Sequence, residues 1–259
     1  MSYALITGSS KGIGKSIAIE LAKKKIDVLL IARSSDLLES LAKEITTTYK
    51  VKAFCLAIDL SLPDAPAMVK KWCDENNYEV NILVNNAGYG LSGSFENYSL
   101  KEYGEMLQIN INAVISLCHI FLNDFKKLPQ AYILNIASTT AYQSVPCFSL
   151  YAASKAFIKS FTRSLNYELQ KTSISVTCVS PGGTDTNFAI RAAVSNKALK
   201  AADKFNMTTE AVAKIAVDAM FAKKTEVITG VINKVGAFLS WLLPQKFVEG
   251  NLYKIYKQH

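Results

Sequence analysis

The feature that most restricts the fold of this chain is an alternation. Short apolar runs rich in β-forming residues recur, and each is followed by a longer segment with helical patterning. "YALIT" (3–7) leads to a helix over 11–25, "DVLLIA" (27–32) to 36–49, and "VKAFCLAID" (51–59) to 65–76. "VNILVNNAG" (80–88) leads to 99–127, "AYILNIAS" (131–138) to 151–171, and "ISVTCVSPG" (174–182) to a variable stretch and a helix over 209–222. "TEVITG" (225–230) reads as a last strand. These runs are apolar nearly throughout, which is the mark of strands buried on both faces of a parallel sheet covered by helices. No proline- or glycine-rich linker and no internal repeat divides the chain. The expectation is an α/β fold, one doubly wound domain over residues 1–259.

Composition narrows the possible functions. Hydrophobic residues make up 50% of the chain and charged residues 19%, enough for a filled core and wrong for disorder. The five cysteines are scattered with no CxxC pair, so neither a disulfide framework nor structural zinc is expected, and a reducing, cytoplasmic setting fits. Two histidines, His119 and His259, cannot build a histidine-rich metal site, and His119 sits in an apolar helical run where packing is its expected role. The formal charge of +8 comes from lysines dispersed along helices, as in "AKKK", "VKKW" and "AKKT". Such dispersal reads as solvated faces and argues against nucleic-acid binding. The opening "MSYALITG" runs straight into a strand without the pattern of a signal peptide. No long uncharged apolar run suggests a membrane-spanning helix.

The first strand ends in "TGSSKGIG" (7–14). Gly8, Gly12 and Gly14 would permit a tight turn and close backbone approach to a ligand, while the helix that follows offers free N–H groups to a pyrophosphate. Position after the first strand and before a helix is what a dinucleotide site demands. At the end of the second strand, "LLIARSS" has Ala32 where an acid for ribose hydroxyls would stand, followed by Arg33 and Ser34. An arginine there, with Lys11 nearby, favours a 2′-phosphate and hence NADP(H). Asp36 is expected to cap the next helix. In "SLYAASKAF" (149–157), Tyr151 and Lys155 lie four apart on one helix face with small residues between them, an arrangement suited to a proton donor and its electrostatic tuner.

With "NNAG" (85–88), "QIN" (108–110), "NIAS" (135–138), "YAASK" (151–155) and "SPGGTDT" (180–186) in this order, the chain resembles the short-chain dehydrogenase/reductases from Tyr3 to about Gly230. The resemblance implies a Rossmann-like domain with a seven-stranded parallel sheet and oxidoreductase activity on carbonyl or alcohol groups with NADP(H). It implies that Tyr151 is the catalytic acid/base and Lys155 its partner, which lowers the phenol pKa and binds the nicotinamide ribose. Ser138 would hydrogen-bond the substrate carbonyl and Asn110 would support a proton relay. Cofactor contacts would fall to Gly8, Ser10, Lys11, Gly12, Ile13 and Gly14, and to Arg33 and Ser34. Asp59 and Leu60 would lie along the adenine, Asn86 near the adenosine ribose, Gly88 beside the cofactor, and Pro181, Gly182, Thr184 and Thr186 along the nicotinamide. Asn85 is expected to be structural. A cofactor-binding sensor without turnover is the alternative, disfavoured by the complete Asn110, Ser138, Tyr151 and Lys155 set.

Substrate choice is expected in the segments after Gly88, around 139–150, and in 187–208, the last as a lid. Phe95, Tyr142, Val145, Phe148, Phe188 and Ile190 suggest an apolar pocket for a bulky carbonyl, with Arg191 the one candidate to clamp an acid. The tail, 233–259, carries many large apolar residues and flanking lysines. It reads as a cover for the sheet edge or a partner subunit, or as a peripheral membrane contact through Trp241, Leu242, Leu243 and Phe247. The general pattern is similar to a DltE-like branch of the family with unspecified substrate. The membrane-associated 3-ketoacyl-CoA and steroid reductases are relatives, although the N-terminal anchor many of them carry is not read here. Family members pair through helices matching 99–127 and 151–171, so a homodimer or homotetramer is implied.

Overall fold

The computed structural model describes residues 2–184, 188, 192–194 and 206–257. Its strands are β1 (Ser2–Thr7), β2 (Asp27–Ala32), β3 (Ala53–Ala57), β4 (Glu79–Asn85), β5 (Ala131–Ile136), β6 (Ile174–Ser180) and β7 (Glu226–Ile228). They form one seven-stranded sheet in the order β3-β2-β1-β4-β5-β6-β7, and every pairing is parallel. The expected doubly wound α/β architecture is therefore present. The order turns back between β1 and β4, and in such sheets ligands bind beyond the carboxyl ends of the strands at that reversal.

The described helices are α1 (Gly12–Lys23), α2 (Ser35–Tyr49), α3 (Ala65–Glu75), α4 (Leu100–Leu107), α5 (Ala113–Phe125), α6 (Ser149–Glu168), α7 (Thr209–Phe221), α8 (Val231–Leu242) and α9 (Gln245–Tyr256). Successive strand side chains point to opposite faces. Leu5, Leu29, Leu83, Ile133 and Val176 pack with Val69 of α3, Phe121 of α5 and Ile158 of α6. Ala4, Ile6, Leu30, Val84, Leu134 and Val179 pack with Ile17 of α1, Leu41 of α2 and Val217 of α7. Both faces are covered, which explains why the central strands are apolar throughout.

The borders depart from that pattern. β3 alternates between half-buried and exposed residues, because an edge strand has a neighbour on one side only. Its Phe54 finds cover by stacking on Tyr78 at 4.9 Å, and Tyr78 in turn meets the edge of Trp72 at 5.1 Å. The helix expected over 99–127 is interrupted by a π-helical turn, Gln108–Asn112, between α4 and α5. His119 is not packed: Leu117, Cys118, Phe121 and Phe125 take the inner face of α5, and position 119 falls on the outer one. By length and composition the stretch Leu100–Phe125 would suffice to cross a membrane, contrary to the sequence reading. Its apolar face is instead spent on the sheet, where Val114, Leu117 and Phe121 are core residues.

Candidate active site

The glycine turn is built by backbone contacts. The Thr7 hydroxyl donates to the Val84 carbonyl at 3.2 Å and accepts from the N–H groups of Asn86 and Ala87 at 3.0 and 3.1 Å. The Asn86 side-chain amide donates to the carbonyls of Thr7 and Gly8 at 3.0 and 3.2 Å. Gly8 (φ +66°) and Gly12 (φ +57°) take left-handed conformations that suit glycine. A Cβ on Gly14 would lie 2.3 Å from the Gly8 carbonyl oxygen and 2.4 Å from Asn86 Nδ2. The N-terminus of α1 has no side-chain cap and no acid in its first turn, so its N–H groups and partial positive charge face outward beside exposed Lys11 and half-buried Ser10. A cradle that any side chain would fill, at an uncapped helix start, fits a pyrophosphate. Ile13 is partly buried against the core around α1.

At the end of β2, Arg33 Nη1 stands 3.7 Å from Asp59 Oδ2, the arginine exposed and the aspartate half-buried. Burial pushes the Asp59 carboxyl up, but the Ser61 N–H at 2.9 Å and the Arg33 guanidinium outweigh it and hold the group below the usual carboxylate range. Ser34 occupies the cap position of α2 without a side-chain cap bond, and Asp36 falls within the first turn instead of capping it. Leu60 is committed to the core, only 5% exposed.

Asn110, Ser138, Tyr151 and Lys155 converge beyond β4 and β5, and all four are buried. The π turn carries Asn110 inward; its amide donates to the Tyr89 carbonyl (2.9 Å) and the Ser154 hydroxyl (3.1 Å), and its oxygen accepts from the Tyr89 N–H (3.1 Å). Such single π turns inside helices gather at functional positions. Lys155 Nζ donates to the Ile136 carbonyl at 2.9 Å and lies 5.8 Å from the centre of the Tyr151 ring. Burial pulls the Lys155 ammonium down to about 8, against a smaller opposing influence of Cys178. Burial raises the Tyr151 phenol above its usual value; a hydrogen bond with Ser138 works the other way, and Tyr256 adds to the rise. Gly88 is small by necessity here, since a Cβ would meet Asn110 Oδ1 at 2.9 Å and Lys155 Nζ at 3.5 Å. Asn85 is structural, as its sequence position suggested: it donates to Asn135 Oδ1 at 2.8 Å inside the core.

Beyond β6, the Pro181 carbonyl accepts from the Thr139 N–H at 2.8 Å, and the Thr184 hydroxyl donates to the Gly182 carbonyl at 3.1 Å. Gly182 packs against Asn233 of α8 so closely that a Cβ would approach within 2.3 Å. Thr186, Ile190 and Arg191, and most of the segment 187–208, lie outside the described residues.

The surroundings of the Tyr151 ring are aromatic. Phe148 stacks on Tyr151 at 4.4 Å, and Phe188 tilts over Tyr151 at 5.3 Å. Val145 is buried in the same cluster. One expected pocket residue, Tyr142, is turned away from this cluster. Tyr142 turns its hydroxyl to Glu226 and to Ser180 (3.3 Å) beneath Lys159, because Glu226, itself bound to Arg163 at 2.5 Å, needs a donor in a half-buried place. Phe95 is exposed at the rim of the cluster, stacked on its member Tyr103 at 5.3 Å. Sequence reasoning missed two contributors. Ser154 joins Asn110 to α6, accepting from it and donating to the Tyr151 carbonyl at 2.7 Å. The tail supplies the other: Tyr256 stacks on Phe148 at 5.8 Å, and Leu252, one turn earlier on α9, joins the cluster. The end of the tail thus packs on the ring cluster around Tyr151, a contact that the sequence signals only through the four-residue spacing of Leu252 and Tyr256.

A sequence profile described as short chain dehydrogenase matches residues 2–198. The chain is 31% identical over 183 residues to an uncharacterized oxidoreductase of Staphylococcus epidermidis, covering 71% of this chain and 78% of that one. It is 30% identical over 236 residues to the 17-beta-hydroxysteroid dehydrogenase type 3 of Mus musculus, covering 90% and 76%. Among solved structures, a short-chain dehydrogenase from Sphingobium yanoikuyae in complex with NADPH superimposes with a TM-score of 0.83. It is 26% identical and covers 100% of this chain and 97% of that one.

Proposed function

The chain belongs to the short chain dehydrogenase family, and on that premise we propose that it is an NADP(H)-dependent reductase of a bulky, apolar ketone or aldehyde, also able to run the reverse oxidation. The observation that carries the reading is the buried convergence of Asn110, Ser138, Tyr151 and Lys155 beside a glycine turn that only glycine can make. Arg33 without an acid at the end of β2, and Lys11 at the start of α1, favour the 2′-phosphorylated cofactor. The NADPH-bound relative from Sphingobium yanoikuyae supports the same choice. Ser10, Ile13 and Gly14 would line the pyrophosphate, Ser34, Asp59 and Leu60 the adenosine end with Asn86, and Gly88 and Pro181 to Thr186 the nicotinamide end.

When bound, NADPH supplies the hydride. Ser138 hydrogen-bonds the substrate carbonyl oxygen and fixes it against Tyr151. Tyr151 gives that oxygen its proton; its raised pKa means that it holds the proton through neutral pH. Lys155, still mostly charged at pH 7, stabilises the phenolate left behind and hydrogen-bonds the ribose. Asn110, held by Tyr89 and Ser154, positions a relay that returns the proton. Phe148, Phe188 and Tyr256 exclude water and favour an apolar substrate, a steroid-like ketone or a 3-ketoacyl thioester. The mouse 17-beta-hydroxysteroid dehydrogenase relative agrees in direction. A single cytoplasmic NADP-binding domain with 187–208 as its lid, paired as a homodimer or homotetramer through α4, α5 and α6, belongs to this reading.

The test is NADPH consumption against steroid ketones, 3-ketoacyl thioesters, aromatic diketones and sugar ketones, with NADH and Tyr151→Phe as controls. Turnover of one apolar class with NADPH, lost by about a thousandfold or more in Tyr151→Phe, is the expected result. Tight NADPH binding with no turnover of any class would favour a cofactor-binding sensor instead.

A further inference from the structure

Helix α8 is built inside out. Val235, Phe238, Leu239, Trp241 and Leu242 are all exposed, Trp241 by 75%. The side turned to the protein carries Ser240, 3% exposed, whose hydroxyl donates to the carbonyls of Ala237 (2.8 Å) and Tyr142 (3.4 Å). It also carries Asn233, whose amide donates to the Thr229 carbonyl at 2.7 Å. A helix that meets water has the opposite arrangement. The apolar surface continues onto α9 at Phe247, 61% exposed. Between the two helices runs an open cleft of about 200 Å³ lined by Leu239, Leu243, Phe247 and Leu252.

The charges around this surface distinguish its occupants. Residues 231–257 hold four lysines, Lys234, Lys246, Lys254 and Lys257, against one acid, Glu249. All four lysines are exposed. A second copy of the chain docked by a two-fold axis would set that cationic rim against itself. A bilayer with anionic headgroups meets both demands: acyl chains for the apolar face, phosphates for the lysines, and an interfacial layer for a tryptophan. We propose that α8 and the outer side of α9 are a monotopic docking surface for an anionic lipid bilayer, with Phe238, Trp241, Leu242 and Phe247 at the headgroup–acyl boundary. Docking does not depend on the reductase reading. Its consequence does: the inner side of α9 carries Tyr256 against the Tyr151 stack, so docking would set the mouth of the site at the membrane.

The test uses the full chain bearing Trp72→Phe, which leaves Trp241 as the sole tryptophan. It is mixed with vesicles of phosphatidylcholine alone and of phosphatidylcholine with phosphatidylserine. The expected result is flotation with the anionic vesicles, a blue shift of Trp241 emission, and binding to the neutral vesicles weaker by about tenfold or more. In the otherwise wild-type chain, Phe238→Ser with Trp241→Ser should abolish flotation, and Lys246→Glu with Lys254→Glu should weaken it by about tenfold or more. Both altered chains should keep the wild-type thermal midpoint, since the sites are exposed. Absence of flotation, or flotation that neither pair of substitutions changes, overturns the proposal. So does a dimer seen by light scattering that dissociates in Phe238→Ser/Trp241→Ser while vesicles are ignored, which would assign the face to a second copy.

Discussion

The two halves of the proposed site are made of different material. On the cofactor side, the glycine turn and the "NNAG" segment are stitched together through Thr7 and Asn86, mostly to backbone atoms. On the substrate side, Phe148, Phe188 and Tyr256 stack around Tyr151 as side chains only, and they come from a loop, the 187–208 segment and the far end of the chain. A backbone-made site tolerates almost no change and says little about what binds next to it. A side-chain-made site can be reshaped without disturbing the sheet. Substitutions in the first half should therefore act on every substrate alike, and those in the second should discriminate among substrates.

The largest effects belong to the pair that joins the halves. Lys155→Met should reduce turnover by orders of magnitude, much as Tyr151→Phe does. It should also stabilise the fold. The Lys155 ammonium falls from 10.5 to about 8 on burial, so the native state binds that proton less tightly than the unfolded chain. The penalty is complete below pH 8 and disappears as pH rises from 8 to 10.5. At pH 7 it amounts to about 3 kcal/mol, from which roughly 1 kcal/mol is subtracted for the orphaned Ile136 carbonyl. Denaturant unfolding should show Lys155→Met as the more stable protein at pH 7, with the advantage gone near pH 10.5. Equal stability at both pH values would mean that Lys155 is uncharged or solvated in the fold.

Next comes Gly14→Ala. The added Cβ would collide with the Gly8 carbonyl, and backbone cannot step aside as a side chain can. The turn should open, with a stability loss of about 1–3 kcal/mol. NADPH affinity should fall by about a hundredfold, equally for every carbonyl tested, as fluorescence titration and denaturant melts would report. Unchanged NADPH affinity would detach the turn from cofactor binding.

This difference also decides what could be read in advance. The seven strands, the glycine turn and the Tyr151–Lys155 spacing are legible because each depends on residue type at short range. Central burial makes a strand apolar throughout, left-handed turns select glycine, and four residues make one helical turn. The π turn at Gln108–Asn112 has no such signature, since its residues suit an ordinary helix and the pattern predicts one helix over 99–127. For His119 and Tyr142 the neighbours in sequence mislead, whereas the orientation of α5 and the need of Glu226 for a donor decide their places. Tyr256 lies 105 positions from Tyr151 in the numbering, and the path of α8 and α9 brings it back.

Arg33→Ser sharpens the comparison from the cofactor side. The guanidinium is exposed and loosely paired, so the fold should not notice its loss. NADPH should bind about tenfold more weakly, as expected for one charge-assisted contact, while NADH affinity holds, because NADH has no 2′-phosphate for the guanidinium to engage. The ratio of the two affinities, measured with any one substrate, should not change with another. An arginine without influence on that ratio would move the phosphate contact to Lys11.

The smallest effect, and the most diagnostic one, is expected at Tyr256. Its ring closes the stack over Phe148 and Tyr151 from the tail, yet it touches neither the glycine turn nor the Lys155 contact. Tyr256→Ala should leave NADPH affinity as it is and change KM by about threefold to tenfold, upward for carbonyls small enough to need the ring and downward for those too large to fit beside it. Tyr256→Phe should keep wild-type selectivity, because the stacking is between ring faces. The substrate-dependent change in KM separates a wall from a merely structural ring, whose loss would lower stability and slow all substrates together. A uniform decline in kcat across the carbonyl panel would place α9 with the scaffold, and the boundary between the two halves would then run inside the tail.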